Sequence, residues 1–452
     1  MTKLLKSLWG RFLFQDRGIL PTKRLLYIFG LLSLALMGAS FFGITWQTAA
    51  AVNVLILSAS LIDLLLSPRK SQIKLIRTMP EEMERGISYS VKITIRNISA
   101  YSFSFRLLDG LPQSFNRPFP FNGKVRNDSE INTVYETAAS VRGEYVIKKL
   151  YFRYTSILGL WEKQITLEMQ NKVKVIPDLT ETKQYLENAQ QFLMYEGTKI
   201  RKHQTGAGDF AKIRSYVIGD DPRKINWRQT AKLREVMTNE FEPEHGKHIT
   251  ILLDCGRMMG AELKKGNRLE KSLEAALTVA AAALQKGDYV AVIAFSKEIK
   301  AFVPPGKGMG HLQTILQSIY SLGVDAAESN YAAVFHYLET MQKKRSLILL
   351  FSDVRTFLHE EGALIYLKRI RQRHLFLMVG IEDETITKRI KEEPSTVEKA
   401  MIKSMAQQQI LLKKKEKLKW EKQGLQLIEA REERLAAAAV SHYIDIMNRN
   451  LL

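Results

Sequence analysis

The chain has 452 residues, of which 46% are hydrophobic and 25% charged, so it is long enough to fold two or three domains with their own cores. Its 67 Lys and Arg outnumber its 47 Asp and Glu, and the formal charge of +20 favours an anionic partner: lipid headgroups, nucleic acid or an acidic protein face. The single cysteine, Cys255, excludes internal disulfides and is typical of a reducing compartment, and no Cys/His spacing of a zinc site occurs.

Two apolar runs near the N-terminus, residues 25–46 and 48–66, predict a transmembrane helical hairpin. The first run carries no charge and spans about 30 Å as a helix at 1.5 Å per residue, the thickness of a bilayer core. A signal peptide is the alternative, but the charged leader is long, a second run follows and no small-residue cleavage site is evident. We therefore expect an integral membrane protein.

Basic residues flank the hairpin on both outer sides, whereas its connecting turn carries no charge. By the positive-inside rule, both ends of the hairpin and everything after residue 67 lie in the cytoplasm. Asp63 is either a functional acid within the membrane or a solvated acid near the cytoplasmic interface. Its position within about one turn of that interface favours the solvated acid.

Residues 71–178 alternate apolar and polar side chains in short stretches such as "YSVKITIRN" and "EYVIKKLYFRY", separated by turn signals. This pattern predicts an antiparallel β-sandwich. The segment contains no arrangement that we would assign to catalysis, and we interpret it as a spacer or interaction module.

Residues 248–452 change to buried strands that alternate with helices. "HITILLD" is an apolar run typical of a strand buried on both faces, and an alanine-rich helix is predicted at 268–285. The alternation predicts a doubly wound, mostly parallel sheet with helices on both faces. The basic stretch 397–423 fits a coiled coil or a solvated arm, but a long helix, a last strand and a closing helix of the same domain is the simpler interpretation.

Asp254 and Asp353 end two of these strands, and Ser329 lies in a loop at the same edge. Ligands of open α/β sheets bind at the carboxyl ends of the strands, and two acids with a hydroxyl suit Mg²⁺ or Mn²⁺. This pattern resembles the metal-dependent adhesion motif of von Willebrand factor A domains. Asp254 matches its first acid, Ser329 replaces its threonine and Asp353 matches its last acid.

Gly256 and Met258 stand where that motif has two serines, so the resemblance implies a degenerate site that binds a cation weakly or with water completing the coordination. The alternative, which we prefer, is that both acids are helix caps or hydrogen-bonded acids at strand ends.

The connector, residues 179–247, contains "GAGDFAKIRSYVIGDDPRKINWRQTAK". Gly219 permits a turn, Asp221 is a good helix N-cap, and Pro222 suits the first helical position. A helix is therefore predicted from 223 to 232, with Ile225 and Trp227 as buried anchors.

Turn chemistry leaves several charged residues unexplained, and they indicate either a buried ion-pair network or an exposed recognition surface. These residues are Asp209, Arg214, Asp220, Arg223 and Arg228. His203 and His245 have no Ser or Cys partner in the sequence, so no nucleophile–base pair is evident.

The same stretch resembles the signature of the family catalogued as domain of unknown function 58: Gly-x-Gly-Asp-Phe, then Arg-x-Tyr, then Gly-Asp-Asp-x-Arg-x-Ile-x-Trp, directly before a von Willebrand A-type domain. The residues that carry the signature, and that we predict to be docking residues, are Gly208, Asp209, Phe210, Arg214, Tyr216, Gly219, Asp220, Asp221, Arg223, Ile225 and Trp227.

This resemblance implies a non-enzymatic scaffold or adaptor in the bacterial inner (cytoplasmic) membrane. It implies a MoxR-type AAA+ ATPase, or the client proteins of that ATPase, as partners in protein maturation or envelope stress. The organisation we expect is a leader with two transmembrane helices (1–70), a β-sandwich (71–178), the connector (179–247) and an α/β domain like that of von Willebrand factor A (248–452).

Three other functions remain as alternatives. The first is a divalent-cation-dependent ligand-binding module with the degenerate metal site. An enzyme built on the acidic strand ends is less favoured, because neither a nucleophile nor an intact metal motif is evident. Nucleic-acid binding is also less favoured: anionic lipid accounts for much of the basic surplus, and the basic tail lacks interleaved aromatic residues.

Overall fold

The computed structural model describes residues 18–41, 43, 45–196, 209–242, 246–449 and 451–452. The chain divides into two compact units, Met1–Ile176 and Pro177–Leu452. Each unit has its own secondary structure and its own core.

The first unit contains two apolar helices, α1 (Lys23–Ser40) and α2 (Trp46–Leu66). Within the described residues, only α2 is long and apolar enough to cross a membrane. The predicted run 25–46 does not form one long helix, because α1 starts at the two basic residues 23 and 24, ends at Ser40 and gives way to a turn at Gly43, where φ is 86°. The first span of the hairpin, residues 25–46, therefore stays a prediction.

The prediction of a solvated Asp63 is wrong. This side chain is 3% exposed although it belongs to α2. Ser156 Oγ donates a hydrogen bond to Asp63 Oδ2 over 2.5 Å, and the backbone N–H of Leu158 donates to Asp63 Oδ1 over 2.9 Å. The acid is satisfied by a loop of the β-rich part, which the order of residues along α2 could not reveal.

The rest of the first unit is β-structure in two sheets. The strands in its described part are β1 (Ile19–Pro21), β2 (Ile73–Thr78), β3 (Glu82–Glu84), β4 (Tyr89–Asn97), β5 (Phe103–Asp109), β6 (Phe121–Val125), β7 (Ser129–Thr137), β8 (Gly143–Thr155) and β9 (Trp161–Ile176). One sheet has the order β1-β9-β8-β5-β6 with β3 beside β9, and the other has the order β2-β4-β7. All neighbours are antiparallel except β3 and β9. Alternate residues of both sheets form one hydrophobic core.

A buried ion pair links the two sheets of this core. Arg77 of β2 donates from Nη1 to Asp109 Oδ1 of β5 over 2.5 Å, and both side chains are 0% exposed. The hydroxyl of Tyr135 in β7 donates to Asp109 Oδ2 over 2.7 Å. Arg77 also donates to the carbonyls of Ile147 and Met169, so its charge is well satisfied. A buried charge pair with this many partners fixes the register of the strands that carry it.

The second unit begins with helix α3 (Thr180–Glu196), followed by a hairpin of β10 (Asp209–Ser215) and β11 (Met237–Glu242) that encloses α4 (Trp227–Leu233). Its larger sheet has the strand order β16-β15-β12-β17-β18-β19, and only β16 is antiparallel to its neighbour. The remaining described strands are β12 (His248–Asp254), β13 (Glu262–Leu263), β14 (Gly266–Asn267), β15 (Tyr289–Phe295), β16 (Ile299–Gly306), β17 (Ser346–Phe351), β18 (Leu375–Ile381) and β19 (Gln426–Ala430).

The helices that accompany this sheet pack in two groups. They are α5 (Arg268–Gln285), α6 (Met309–Ile319), α7 (Tyr331–Met341), α8 (Val354–Leu358), α9 (Glu361–Arg373), α10 (Glu384–Lys391), α11 (Val397–Lys422) and α12 (Leu435–Asn448). The alanine-rich α5 packs against α3, α6 and α12, whereas α7, α8 and α9 share a core with alternate residues of the sheet. The relation of this unit to von Willebrand A-type domains stays a prediction.

The C-terminal tail is part of the second unit, as the simpler interpretation of the sequence predicts. Trp420 near the end of α11 is 2% exposed, and its indole N–H donates to the carbonyl of Leu358 over 3.2 Å. The strand β19 follows and pairs in parallel with β18. The basic side chains of α11 are therefore one face of a docked helix.

Candidate functional site

The carboxyl ends of β12 and β17 lie side by side at the point where the strand order reverses. From β12 the chain proceeds outward through β15 and β16 on one side, and through β17, β18 and β19 on the other. In open α/β sheets such a switch point forms the crevice that holds ligands. Asp254 ends β12, and Ser352 and Asp353 directly follow β17.

Hydrogen-bond donors of the protein surround both oxygens of the Asp254 carboxylate. Its Oδ1 accepts from the backbone N–H of Gly256 (2.8 Å) and from the hydroxyl of Ser329, and its Oδ2 accepts from Ser352 Oγ (2.5 Å) and Tyr331 OH (3.1 Å). Asp254 is 2% exposed, and burial raises its pKa although the four donors oppose this effect. Burial also raises the pKa of Tyr331, so that this hydroxyl keeps its proton.

Glycine at position 256 makes room for the Ser329 hydroxyl. A Cβ at Gly256 would lie 2.0 Å from Ser329 Oγ and 3.2 Å from Asp254 Oδ1. A serine at this position, as in the adhesion motif, therefore cannot coexist with the present position of Ser329. Met258, the other departure from the motif, is 38% exposed.

Asp353 has different partners from Asp254. Its Oδ2 accepts from the backbone N–H (2.9 Å) and the hydroxyl (2.8 Å) of Thr356 and so caps α8, while its Oδ1 is paired with the guanidinium of Arg268. Arg268 Nη2 also lies 3.9 Å from Asp383 Oδ2, and burial lowers the pKa of Arg268. The structure thus brings Asp254 and Ser329 together, whereas Asp353 pairs with Arg268 and caps α8.

These residues do not fit a hard cation. In the part of the chain that the structure describes, no group of three or more His, Cys, Asp or Glu is arranged to hold a metal ion. The Asp254 carboxylate accepts hydrogen bonds from hydroxyl groups, and the charge of Asp353 is neutralised by Arg268. Mg²⁺ and Mn²⁺ need carboxylate and hydroxyl oxygens with lone pairs directed at the ion.

Sequence reasoning missed three of the groups that close these acids, namely Tyr331, Ser352 and Arg268. One signal was present: a buried carboxylate needs donors, and hydroxyl residues stand two positions after Ser329 and directly before Asp353. Arg268 gave no such signal, because it meets Asp353 only in the folded chain.

The signature segment forms the hairpin β10–β11. Asp209 and Phe210 begin β10, where they pair with Glu242 and Phe241. The irregular connection between β10 and β11 carries most of the remaining signature residues. Three residues that the sequence singled out lie outside the described part of the chain, namely Gly208, His203 and His245.

An ion pair organises that connection. Arg214 donates two parallel hydrogen bonds to the carboxylate of Asp220, each 2.7 Å long. The backbone N–H of Val217 donates to the same carboxylate over 3.0 Å, and the hydroxyl of Tyr216 donates to the Asp220 carbonyl over 3.1 Å. Gly219 has φ of 110°, which favours glycine, so the loop closes tightly around Asp220.

Asp221 is the N-cap that the sequence predicts, since its carboxylate accepts from the backbone N–H of Arg223 over 3.0 Å. The helix predicted from 223 to 232 is wrong: Pro222–Lys224 is a 3-10 turn, and α4 begins only at Trp227 with Asn226 as its cap. The reason is that Ile225 forms a bridge to Thr238 of β11, which takes its backbone out of any helix.

Trp227 is not the buried anchor that we predicted, because 69% of it is exposed, whereas Ile225 is half-buried. The neighbouring Ile218 is 99% exposed and Val217 is 61% exposed. We call Val217, Ile218 and Trp227 the signature face. Clusters of exposed apolar side chains are typical of surfaces that bind another molecule, and we take the connection between β10 and β11 as the candidate binding surface.

The described part of the chain thus combines two units, one apolar helix of membrane-spanning length, a switch point whose acids are closed by internal donors, and an exposed apolar face. The model of the family described as "Protein of unknown function DUF58" matches residues 212–398, which include most of the signature hairpin. The protein is 25% identical over 266 residues to "Uncharacterized protein YeaD" of Bacillus subtilis (strain 168). This match covers 56% of the chain, and the chain spans 63% of the length of that relative.

Solved structures with partial similarity include the conserved hypothetical protein BatB from Bacteroides thetaiotaomicron, with 14% identity, 45% of this chain, 100% of that chain and a TM-score of 0.29. A PapD-like domain of human CEP192 has 12% identity, 24% of this chain, 88% of that chain and a TM-score of 0.18. TM-scores this low support no conclusion about fold or function.

Proposed function

We propose that this protein is a non-enzymatic scaffold, anchored in the bacterial inner membrane with everything after residue 67 in the cytoplasm, that binds a partner protein through the signature face. The partner we propose is a MoxR-type AAA+ ATPase or one of its client proteins. The observation that carries the proposal is the exposure of Ile218 (99%) and Trp227 (69%) on a hairpin that is held in shape by internal bonds.

The geometry of the hairpin suits binding. Arg214 and Asp220 fix the loop before any partner arrives, so that little conformational entropy is lost on association. Trp and Arg are the residues that most often dominate interface energies, and Trp227 has exposed Arg223 and Arg228 as sequence neighbours. These two arginines favour an acidic surface on the partner.

The switch point supports a non-enzymatic role. A general base or a metal ligand needs a free lone pair directed at the substrate or the ion. Asp254 accepts four hydrogen bonds, and Asp353 is held by Arg268 and by the cap of α8. Asp254 thus joins the ends of β12 and β17, and Asp353 ties the end of β17 to α5 and α8.

The choice of partner rests on the signature and on the match of residues 212–398 to the family of unknown function. The choice of a membrane anchor rests on α2 and on the basic flanks of the predicted hairpin.

Affinity purification of the full chain from native membranes tests the proposal. We expect a MoxR-type AAA+ ATPase to be recovered with the wild-type chain and with Ile365→Ala, whose side chain is exposed on α9 away from the hairpin in sequence. We expect it to be lost with Ile218→Ala combined with Trp227→Ala. Failure to recover such an ATPase, with or without nucleotide, would refute the partner assignment.

A further inference from the structure

One loop of the first unit is held by the ends of both apolar helices. Residues 156–161, which we call the collar loop, comprise the connection from β8 to β9 and the first residue of β9. At α2, Asp63 accepts hydrogen bonds from Ser156 and Leu158, and the indole N–H of Trp161 donates to the carbonyl of Ser60 over 2.9 Å. The collar loop therefore contacts α2 within its last two turns.

The start of α1 holds the same loop. Thr22, the N-cap of α1, donates from its hydroxyl to the carbonyls of Gly159 (2.7 Å) and Leu160 (3.0 Å). Its backbone N–H donates to the Leu160 carbonyl over 2.9 Å, and β1, just before α1, pairs with the start of β9. The loop is thus fixed at the junction of both helices and the β-structure.

These contacts fix the position of the collar loop along α2. Ser60 and Asp63 lie about 9 Å and about 4.5 Å before the end of α2 at Leu66, at 1.5 Å per residue. The apolar face of a helix that lies in a membrane interface is buried about 5–10 Å into the boundary between headgroups and acyl chains, which is a comparable distance. Leu158 is 64% exposed and Ile157 is 39% exposed, so apolar side chains of the loop are free to enter that region.

Basic side chains surround the loop. Arg24 covers Gly159, where an added Cβ would lie 3.2 Å from Arg24 Nη1, and Arg69 follows the end of α2. Lys163 stands two residues after the loop; burial, and after it the charge of Arg69, lower the pKa of Lys163. Asp63 is a nearby acid that accepts hydrogen bonds from the loop, and its charge, which acts to raise the pKa of Lys163, offsets one of the three positive charges.

Glu162 does not offset these charges at the same face. Glu162 and Lys163 are consecutive residues of β9, so their side chains point to opposite faces of the sheet. Glu162 lines a cavity of about 450 Å³ together with Arg106 and Arg153. The surroundings of the loop thus combine the exposed apolar side chains of Ile157 and Leu158 with a surplus of positive charge from Arg24, Arg69 and Lys163, which is the chemistry of a phospholipid headgroup site.

We propose that the collar loop, with Arg24, Arg69 and Lys163, binds the headgroups of anionic phospholipids while Ile157 and Leu158 enter the interface of the membrane that α2 crosses. The inference rests on the membrane anchor of the proposed function and is independent of the signature face and its partner. It gives the first unit a second attachment to the membrane besides the helices.

Depth-dependent quenching tests the position of the loop. The full chain carries one native cysteine, Cys255, which is fully buried, so Leu158→Cys is labelled selectively with an environment-sensitive fluorophore. Leu65→Cys on α2 reports membrane insertion, and Val134→Cys on β7, which is also exposed, is the control on the β-structure. In vesicles with spin-labelled headgroups, we expect the labels at 158 and 65 to be quenched and the label at 134 to stay bright.

A bright label at 158 beside a quenched label at 65 would overturn the collar-loop proposal and leave the membrane anchor intact. Two bright labels at 158 and 65 would overturn the anchor itself, and the collar-loop proposal with it.

A lipid-retention measurement tests the headgroup. We expect the full chain, released from mixed bilayers, to retain phosphatidylglycerol over phosphatidylcholine in native mass spectrometry. Replacing Arg24, Arg69 and Lys163 by Gln should lower this preference at least about fivefold, the effect of one basic residue near an anionic surface. The matched control replaces the exposed Lys92, Lys148 and Lys172 by Gln. An equal loss in both triple variants, or no loss in either, would contradict the assignment.

Discussion

Ser352 donates a hydrogen bond to Asp254 over 2.5 Å and thereby joins the ends of the neighbouring strands β17 and β12. The bond lies at the switch point of the sheet, where an open α/β fold holds its ligand when it has one. In this protein the same position is filled by the chain's own hydroxyl groups. The strand ends are therefore a structural joint, and we place the binding surface elsewhere, on the signature face.

The buried carboxyl at this joint predicts a pH dependence. The folded pKa of Asp254 is raised above the value of about 3.9 in an unfolded chain. The folded state therefore binds its proton more tightly, and the stabilisation present below about pH 4 is lost as the pH rises through the folded pKa.

The lost stability should appear as weaker protection of the backbone amides of β12 and β17 from hydrogen exchange as the pH rises. We expect Asp254→Asn, which does not titrate, to abolish this effect of pH. Hydrogen exchange of the full chain, corrected for the intrinsic effect of pH, measures it. Equal pH dependence in the wild type and the variant would contradict the raised pKa.

The space at Gly256 predicts a coupled pair. Gly256→Ala pushes Ser329 Oγ away from Asp254, because the new Cβ would lie 2.0 Å from that oxygen. The expected cost is about 1.5–3 kcal/mol, the value of a hydrogen bond to a charged group. Adding Ser329→Ala removes the clash, so the double variant should be less destabilised than the sum of the two single variants. Additive free energies of unfolding would show that the two residues do not compete for the same space.

The hydrogen bonds and the ion pair of Asp254 and Asp353 predict that divalent cations do not stabilise the protein. Asp353 is held by Arg268, and Asp254 accepts hydrogen bonds from hydroxyl groups, so both carboxylates at the crevice between β12 and β17 are already engaged. We expect Mg²⁺ or Mn²⁺ at millimolar concentration to leave the thermal midpoint of the full chain unchanged, since a ligand that binds only the folded state raises it. A rise that disappears in Asp254→Asn would instead support a cation-dependent module.

The ion pair between the two sheets of the first unit predicts a large stability effect. Asp109→Ala leaves Arg77 charged and unpaired in a core where both side chains are 0% exposed, which costs about 3–5 kcal/mol. Tyr135→Phe removes one hydrogen bond to the same carboxylate and should cost about 1.5–3 kcal/mol. Lys92→Ala on the exposed side of β4 is the control. Denaturation of the full chain, followed by hydrogen exchange in β2 and β5, measures these losses, and an effect of Asp109→Ala no larger than the control would contradict the role of the pair.

Local patterns in the sequence predicted those features that depend on neighbours along the chain. The helix expected at 268–285 is found at Arg268–Gln285, and the tail folds as a helix, a strand and a helix, because apolar periodicity records which face of an element is buried. The cap at Asp221 followed from the same kind of local rule.

Features that depend on distant partners escaped prediction. Asp63 is buried by a loop far along the chain, with a separation of 93 to Ser156, and Arg268 meets Asp353 across a separation of 85. Trp227 is exposed because Ile225 bridges to β11 and shortens the helix. Neither the spacing nor the type of these residues in the sequence predicts which distant residue each of them contacts.

Binding of a partner protein by the signature face is tested most directly by an affinity titration. The purified full chain in nanodiscs is titrated with the MoxR-type AAA+ ATPase, in parallel with Trp227→Ala and with the control Ile365→Ala. We expect Trp227→Ala to weaken binding about 30-fold, the effect of a hot-spot residue worth about 2 kcal/mol, while Ile365→Ala binds as the wild type does. Equal affinity of the wild type and Trp227→Ala would contradict the proposed role of the signature face.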